Sequence, residues 1–281
     1  MKIAVIGNSH ALALVAAHRE GLGGAIGQLD FYFIPGEWAM ADADRLTNAP
    51  PLADDDKGIL LGDYDGYLIS ALGWWAARNE TLERGMHPLS HVACATWLAA
   101  NASSSSLHLP EHLPANLAVV STAVLSKTIA GWLAEQPIAR LAKHIAGRYD
   151  KPVFLQPWPA PNRALAADSD WTINRWYRAV GPAIWRQYFD AQHDALKAMA
   201  AGMRDGVTLL DYPLPGPARD GLMDQQWCEP DPFHGNARYG ALVLEQLQQA
   251  LARRPVDADV DADAETRPEA NANANANVPQ A

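Results

Sequence analysis

A three-layer α/β/α sandwich around a five-stranded parallel sheet is the fold that three observations predict. Five short apolar runs recur along the chain, turn residues bound each one, and stretches of helical character separate most of them. That alternation suits parallel strands joined by crossover helices.

The runs are Ile3 to Ile6, Leu29 to Ile34, Gly66 to Ala71, Pro152 to Gln156 and Val207 to Asp211. Between them, Ala11 to Glu20 predicts a first helix and Leu82 to Ala100 a second, with His87 and Pro88 near its start. Ser126 to Tyr149 predicts a third, interrupted or offset by Pro137. From Pro182 to Met203, residues Ile184, Trp185, Tyr188, Phe189, Leu196 and Met199 fall at near-helical spacing. Tyr239 to Ala252 reads as a closing amphipathic helix, and Asn101 to Pro114, with four serines in a row, as a surface loop.

At 281 residues and 49% hydrophobic, the chain can bury a sizeable core. One domain over residues 1–255 is expected, followed by a tail from Val256. The tail's Asp-Ala and Asn-Ala repeats hold six acids against one arginine, half of the formal charge of −10, and too little apolar surface to offset ordering. The negative balance argues against nucleic acid or anionic lipid as partners. No run approaches the ~20 apolar residues of a membrane span. Gly7-Asn8-Ser9-His10 interrupts the early apolar stretch, so the start reads as the first strand of a cytoplasmic protein rather than a signal peptide. Cys94 and Cys228 lie far apart with no C-x-x-C spacing, which suggests free thiols rather than a disulfide or zinc framework.

Chemistry concentrates at two places. Ile3-Ala-Val-Ile-Gly7-Asn8-Ser9-His10 runs from the first strand into a helix, so Ser9 falls at the carboxyl end of a strand, beside helix N-terminal amides. That is a nucleophile's position, although Ser9 or Asn8 would also serve as a simple N-cap. Gly7 to Leu12 lacks the later glycines of a dinucleotide fingerprint, and no Walker loop is present. Near the other end, Asp231-Pro-Phe-His234 precedes the closing helix. A serine hydroxyl needs a base, and the base needs an acceptor to fix its tautomer; an aspartate three residues before a histidine on a loop supplies both.

Gly7-Asn8-Ser9 followed much later by Asp231-x-x-His234 resembles the SGNH or GDSL-type hydrolase superfamily. The first motif matches the G-D-S block with Asn8 in place of Asp. Asp231-Pro-Phe-His234, with Gly235-Asn236-x-x-Tyr239-Gly240 behind it, is similar to the family's second block and its passage into a helix. The resemblance implies flavodoxin-like strand order for the sheet and a Ser9, His234, Asp231 triad. It also implies an oxyanion hole built from the backbone N–H of Ser9, a glycine after the second strand, where Gly36 stands, and a G-x-N-D block after the third. Gly73 matches that block's glycine, but Trp75 takes the Asn position. One preorganised donor is worth about 3 kcal/mol of barrier. Asn79, His87 and Asn162 are candidate replacements.

Several other residues stand near these motifs. His10 either lines the site or plays a capping or surface role. Cys228 reads as a buried thiol rather than a reactive one, and His87 with His91, at i, i+4, as a hydrogen-bonded pair rather than a metal site. Of ten tryptophans, Trp74, Trp75 and Trp158 follow strands and are expected near the substrate, where flat rings suit a sugar or an acyl group. Trp171, Trp176 and Trp185 suit core packing.

The expected activity is therefore a serine acyl-ester hydrolase or acyltransferase, with no metal or organic cofactor required. A small-molecule or glycan ester, such as an O-acetylated carbohydrate, is the expected substrate. The alternative is a non-catalytic SGNH-like module that binds a glycan or a protein. Oligomeric state is left open.

Overall fold

The computed structural model describes residues 1–34, 36–49, 57–73, 92–94, 118–166, 172–214, 220–231 and 234–253. The five apolar runs all form strands of one sheet: β1 (Lys2–Gly7), β2 (Gln28–Phe33), β6 (Gly66–Leu72), β9 (Val153–Pro157) and β10 (Val207–Leu209). Every pairing is parallel and the spatial order is β10-β9-β6-β1-β2. Counted along the chain, that is the 2-1-3-4-5 order of doubly wound flavodoxin-like sheets. The winding reverses between β1 and β6, and the crevice beyond the carboxyl ends of these two strands is the sheet's switch point.

Burial on both faces explains the unbroken apolar runs. Ile3 and Val5 of β1 join Leu68 and Phe154 on one face, which α1 (Leu12–Arg19) and α5 (Ala237–Ala252) cover. Ala4, Ile6, Tyr67, Ile69, Val153 and Leu155 point to the other. There they meet α2 (Thr122–Ala134), α3 (Pro137–Arg148) and α4 (Thr172–Ala201), which complete the three layers. On α5, Tyr239, Val243, Leu244 and Leu247 are buried, each worth roughly 1.5–3 kcal/mol for a full-sized apolar side chain.

Two helices of one face meet closely near the site. A Cβ added at Gly240 of α5 would lie 2.0 Å from the carbonyl oxygen of Ala13 on α1. Only glycine permits this approach, which brings the start of α5 beside the start of α1.

Some expectations need correction. Residues Val92–Cys94, inside the expected Leu82 to Ala100 helix, form strand β7, parallel to β8 (Ala118–Val120). Three consecutive residues with a parallel partner cannot lie in a helix; the rest of that expectation, including His87 and His91, lies outside the described residues. The helix expected from Pro182 begins at Thr172, so Pro182 lies within it rather than at its start. Pro137 instead divides α2 from α3 and sits in the first turn of α3, where its missing N–H costs nothing. Between β2 and β6 the chain forms a small antiparallel sheet of β3 (Trp38–Met40), β4 (Arg45–Asn48) and β5 (Ile59–Leu60), which had not been expected. It packs Leu46 and Ile59 into the core and ties Trp38 Nε1 to the Pro137 carbonyl at 2.8 Å. The Asn101 to Pro114 loop and the tail from Val256 lie outside the described residues.

Candidate active site

Ser9 follows β1 directly. Asn8, in extended conformation, caps a short 3-10 turn over Ser9–Ala11 by accepting the His10 N–H on its side-chain oxygen at 3.1 Å, and α1 continues from Leu12. As the first residue of that turn, Ser9 keeps its N–H outside the intrahelical ladder. Its hydroxyl is half-buried.

Asp231 and His234 sit on a tight loop closed by backbone bonds from Glu229 N–H to the His234 carbonyl, 2.9 Å, and from Asn236 N–H to the Trp227 carbonyl, 3.0 Å. Asn236 fastens this loop to α5. Its Oδ1 accepts the N–H groups of Arg238 and Tyr239, and its Nδ2 donates to the carbonyls of Gln226 and Cys228. One side chain thus caps the helix and holds the segment that leads to Asp231.

Across 225 residues of sequence, the Ser9 Oγ lies 3.1 Å from His234 Nε2, and His234 Nδ1 lies 2.9 Å from Asp231 Oδ2. The other Asp231 oxygen accepts the His234 backbone N–H at 2.8 Å. An ionised carboxylate only accepts, so Nδ1 carries the proton and Nε2 is left to accept the serine hydroxyl. The Asp231 and His234 side chains are 28% and 32% exposed, so both are partly open to solvent.

His10 neither caps the helix with its ring nor lies on the surface. It is 4% exposed, stacked on His234 with centroids 4.5 Å apart and planes 29° apart, and it also meets Trp158, edge-on at 4.4 Å. Trp158 does reach the site but is itself only 7% exposed, so it packs against His10 and offers little open face for a ligand. Gly73 closes in behind it: an added Cβ would lie 2.6 Å from the Trp158 Cβ. Glycine at 73 therefore has a packing reason besides any oxyanion role. Gly36 is exposed, with open space around its Cβ position, and packing gives no reason for glycine there.

Asn162 is buried, and its Nδ2 donates to the Asp231 carbonyl at 3.4 Å, so it braces the acid's loop. Cys228 is buried, with its thiol near the Asp224 carbonyl at 3.4 Å; burial first, then Asp231, Asp224 and Glu229, pushes the thiol up to about 12. Trp185 is fully buried and donates to the Gly221 carbonyl, as a core residue should. Trp74, Trp75, Asn79 and Trp171 lie outside the described residues, and nothing is described of the Trp176 side chain. The described residues contain no group of three or more His, Cys, Asp or Glu side chains that could hold a metal ion. None of their helices is long and apolar enough to cross a membrane.

Sequence reasoning named Ser9, His234 and Asp231, and the structure brings these three together. It missed the hub at Asn236, although an Asn just before an apolar-periodic segment is an N-cap signal. It also missed the burial of His10, for which a lone histidine after a serine carries no pattern.

No protein-family model matches the chain, and no curated protein matches it in sequence. Among solved structures the chain is similar to the crystal structure of a DUF4886 family protein from Bacteroides uniformis, with 12% identity and a TM-score of 0.40, over 90% of this chain and 83% of that one.

Proposed function

We propose that the protein is a serine acyl-ester hydrolase or acyltransferase of SGNH type. The observation that carries this reading is the unbroken relay from Ser9 Oγ through His234 to Asp231, with both links at hydrogen-bond distance. A core fold gives no reason for three polar side chains from opposite ends of the chain to align at a sheet's switch point, partly open to solvent. Catalysis does.

In the proposed reaction Ser9 Oγ attacks the acyl carbonyl carbon while its proton passes to His234 Nε2. The imidazolium is stabilised by the Asp231 carboxylate. The carbonyl oxygen, now negative, is held by the Ser9 N–H, with Gly36 and Gly73 as the remaining backbone donors that the family resemblance assigns. When the tetrahedral adduct collapses, the ester C–O bond breaks and His234 returns its proton to the leaving alkoxide. The acyl-enzyme is then attacked by water or by an acceptor alcohol, with His234 again removing the proton; as the second adduct collapses, the bond from the acyl carbon to Ser9 Oγ breaks and His234 returns the proton to Oγ, so that water gives hydrolysis and an alcohol gives transfer. An O-acetylated carbohydrate is the substrate class we favour, on the sequence position of Trp74 and Trp75 directly after the third strand of the sheet, since the buried Trp158 offers a sugar little open face.

The purified protein should cleave a short aryl ester such as p-nitrophenyl acetate. Ser9→Ala should remove that turnover while leaving the thermal midpoint within a few degrees, and added sugar should divert acyl groups from water if the enzyme is a transferase. Full activity in Ser9→Ala would sink the assignment. Saturable sugar binding without turnover, unchanged by the same substitution, would point to the binding module.

A further inference from the structure

We infer that His10 is a positioning residue for the candidate base, holding the plane of the His234 ring between Ser9 and Asp231. The inference rests on the proposed serine mechanism and extends it beyond the three relay residues.

The last torsion of a histidine side chain is broad and hydrogen bonds tolerate bending, so the two bonds at Nδ1 and Nε2 restrain the tilt of the ring only loosely. A flat partner against one face removes that freedom. His10 is that partner, stacked at 4.5 Å and 29°. Its freedom to move is limited, because Trp158 stands edge-on to it at 4.4 Å. Trp158 is held in turn by the bond from its backbone N–H to the Leu72 carbonyl, 2.7 Å, and by the close approach of Gly73 to its side chain. The His10 backbone is pinned by the Asn8 side chain, in the same turn that presents Ser9. Nucleophile and stacking ring are thus adjacent residues of one capped turn, so the distance from Oγ to Nε2 and the tilt of the base are set together.

The arrangement also bears on charge. During acylation the proton arrives on His234, and a second cation stacked at this distance would oppose it. Burial at 4% disfavours a charge on His10, and a neutral π face beside a forming imidazolium is favourable. A phenyl ring would keep the stacking and a methyl group would not.

The test compares His10→Phe and His10→Ala in the full chain. The readouts are the rate at which a fluorophosphonate probe labels Ser9, the thermal midpoint, and the NMR signal of the His234 Nδ1 proton bonded to Asp231. His10→Phe should label within about threefold of the unsubstituted protein and keep the proton signal. His10→Ala should remain folded, label about tenfold to a hundredfold more slowly, as expected for a base displaced by a fraction of an ångström to an ångström, and lose or broaden the signal. Equal labelling rates and an unchanged proton signal in His10→Ala would overturn the inference. If the unsubstituted protein does not label at all, the serine mechanism fails, and the NMR comparison still decides whether His10 holds the ring.

Discussion

Asp231 touches His234 twice, through the ring Nδ1 and through the backbone N–H, so its replacement separates orientation from charge. Asp231→Asn keeps the shape but its amide can present an N–H to Nδ1, favouring the wrong tautomer. Ester turnover is expected to fall about 10³- to 10⁴-fold with the fold retained, and steady-state kinetics beside a melting curve will check it. Cys228 gives the opposite prediction for a neighbouring residue. Its thiol is buried and pushed up to about 12, so iodoacetamide at pH 8 should leave it unmodified in the native protein and alkylate it after denaturation, as peptide mass mapping will show. The unfolded thiol ionises near its ordinary value of 9.0, so this residue's contribution to stability is present below pH 9 and is lost as pH rises from there toward 12. At this scale the sequence was informative wherever chemistry demands a motif. Ser9, Asp231 and His234 carry a pattern because their roles fix residue type and order, whereas His10 and Asn162 act by where they are packed, and packing leaves no local signature.

The Asn236 hub joins an element to the site. Asn236→Ala removes a helix cap and two bonds to the loop that carries Asp231, and should cost about 2–3 kcal/mol of stability and slow ester turnover as well. Urea unfolding and kinetics on one preparation test both; an unchanged midpoint would contradict the hub. Gly73→Ala forces a Cβ into Trp158, which can give way only toward His10 and its other close neighbours. A loss of about 1–3 kcal/mol is expected, measurable by thermal unfolding. Elements buried on both faces were legible, since β1, β6 and β9 read as continuous apolar runs. Strands β3 to β5, two to four residues each and only partly buried, were not, because so short a stretch carries no period. Pro182 reads as a helix start, since proline suits a first turn, yet α4 runs through it from Thr172, and the packing of Trp185, Tyr188 and Leu196 anchors the helix beyond it.

For the whole molecule, the doubly wound order follows from five parallel strands with α1 and α5 on one face and α2 to α4 on the other, and it places the carboxyl ends of β1 and β6 beside the loop before α5. Two histidines away from the site couple stability to acid pH. His144, tilted against Trp38, is held below its ordinary value of 6.5 by burial and by Arg148; His193 is lowered by burial and Lys197, offset in part by Asp211, Asp194 and Asp190. Both are neutral in the folded state, so the stability they contribute is present above pH 6.5 and is lost as pH falls through their lowered values. Urea midpoints between pH 7 and pH 5 should therefore decline. His144→Gln should lessen the decline by at most about 1.4 kcal/mol per pH unit, the linkage of a single proton. An identical decline in that variant would remove His144 from the account.

The central claim is that Ser9 is an activated nucleophile with His234 as its base. The most direct measurement is to treat the purified protein with a fluorophosphonate probe and locate the adduct by mass spectrometry, because it reports activation without the natural substrate. The account predicts an adduct on Ser9 that forms in the unsubstituted protein and disappears in His234→Ala. A folded protein that leaves Ser9 unlabelled, or a His234→Ala variant that labels at the full rate, would contradict it.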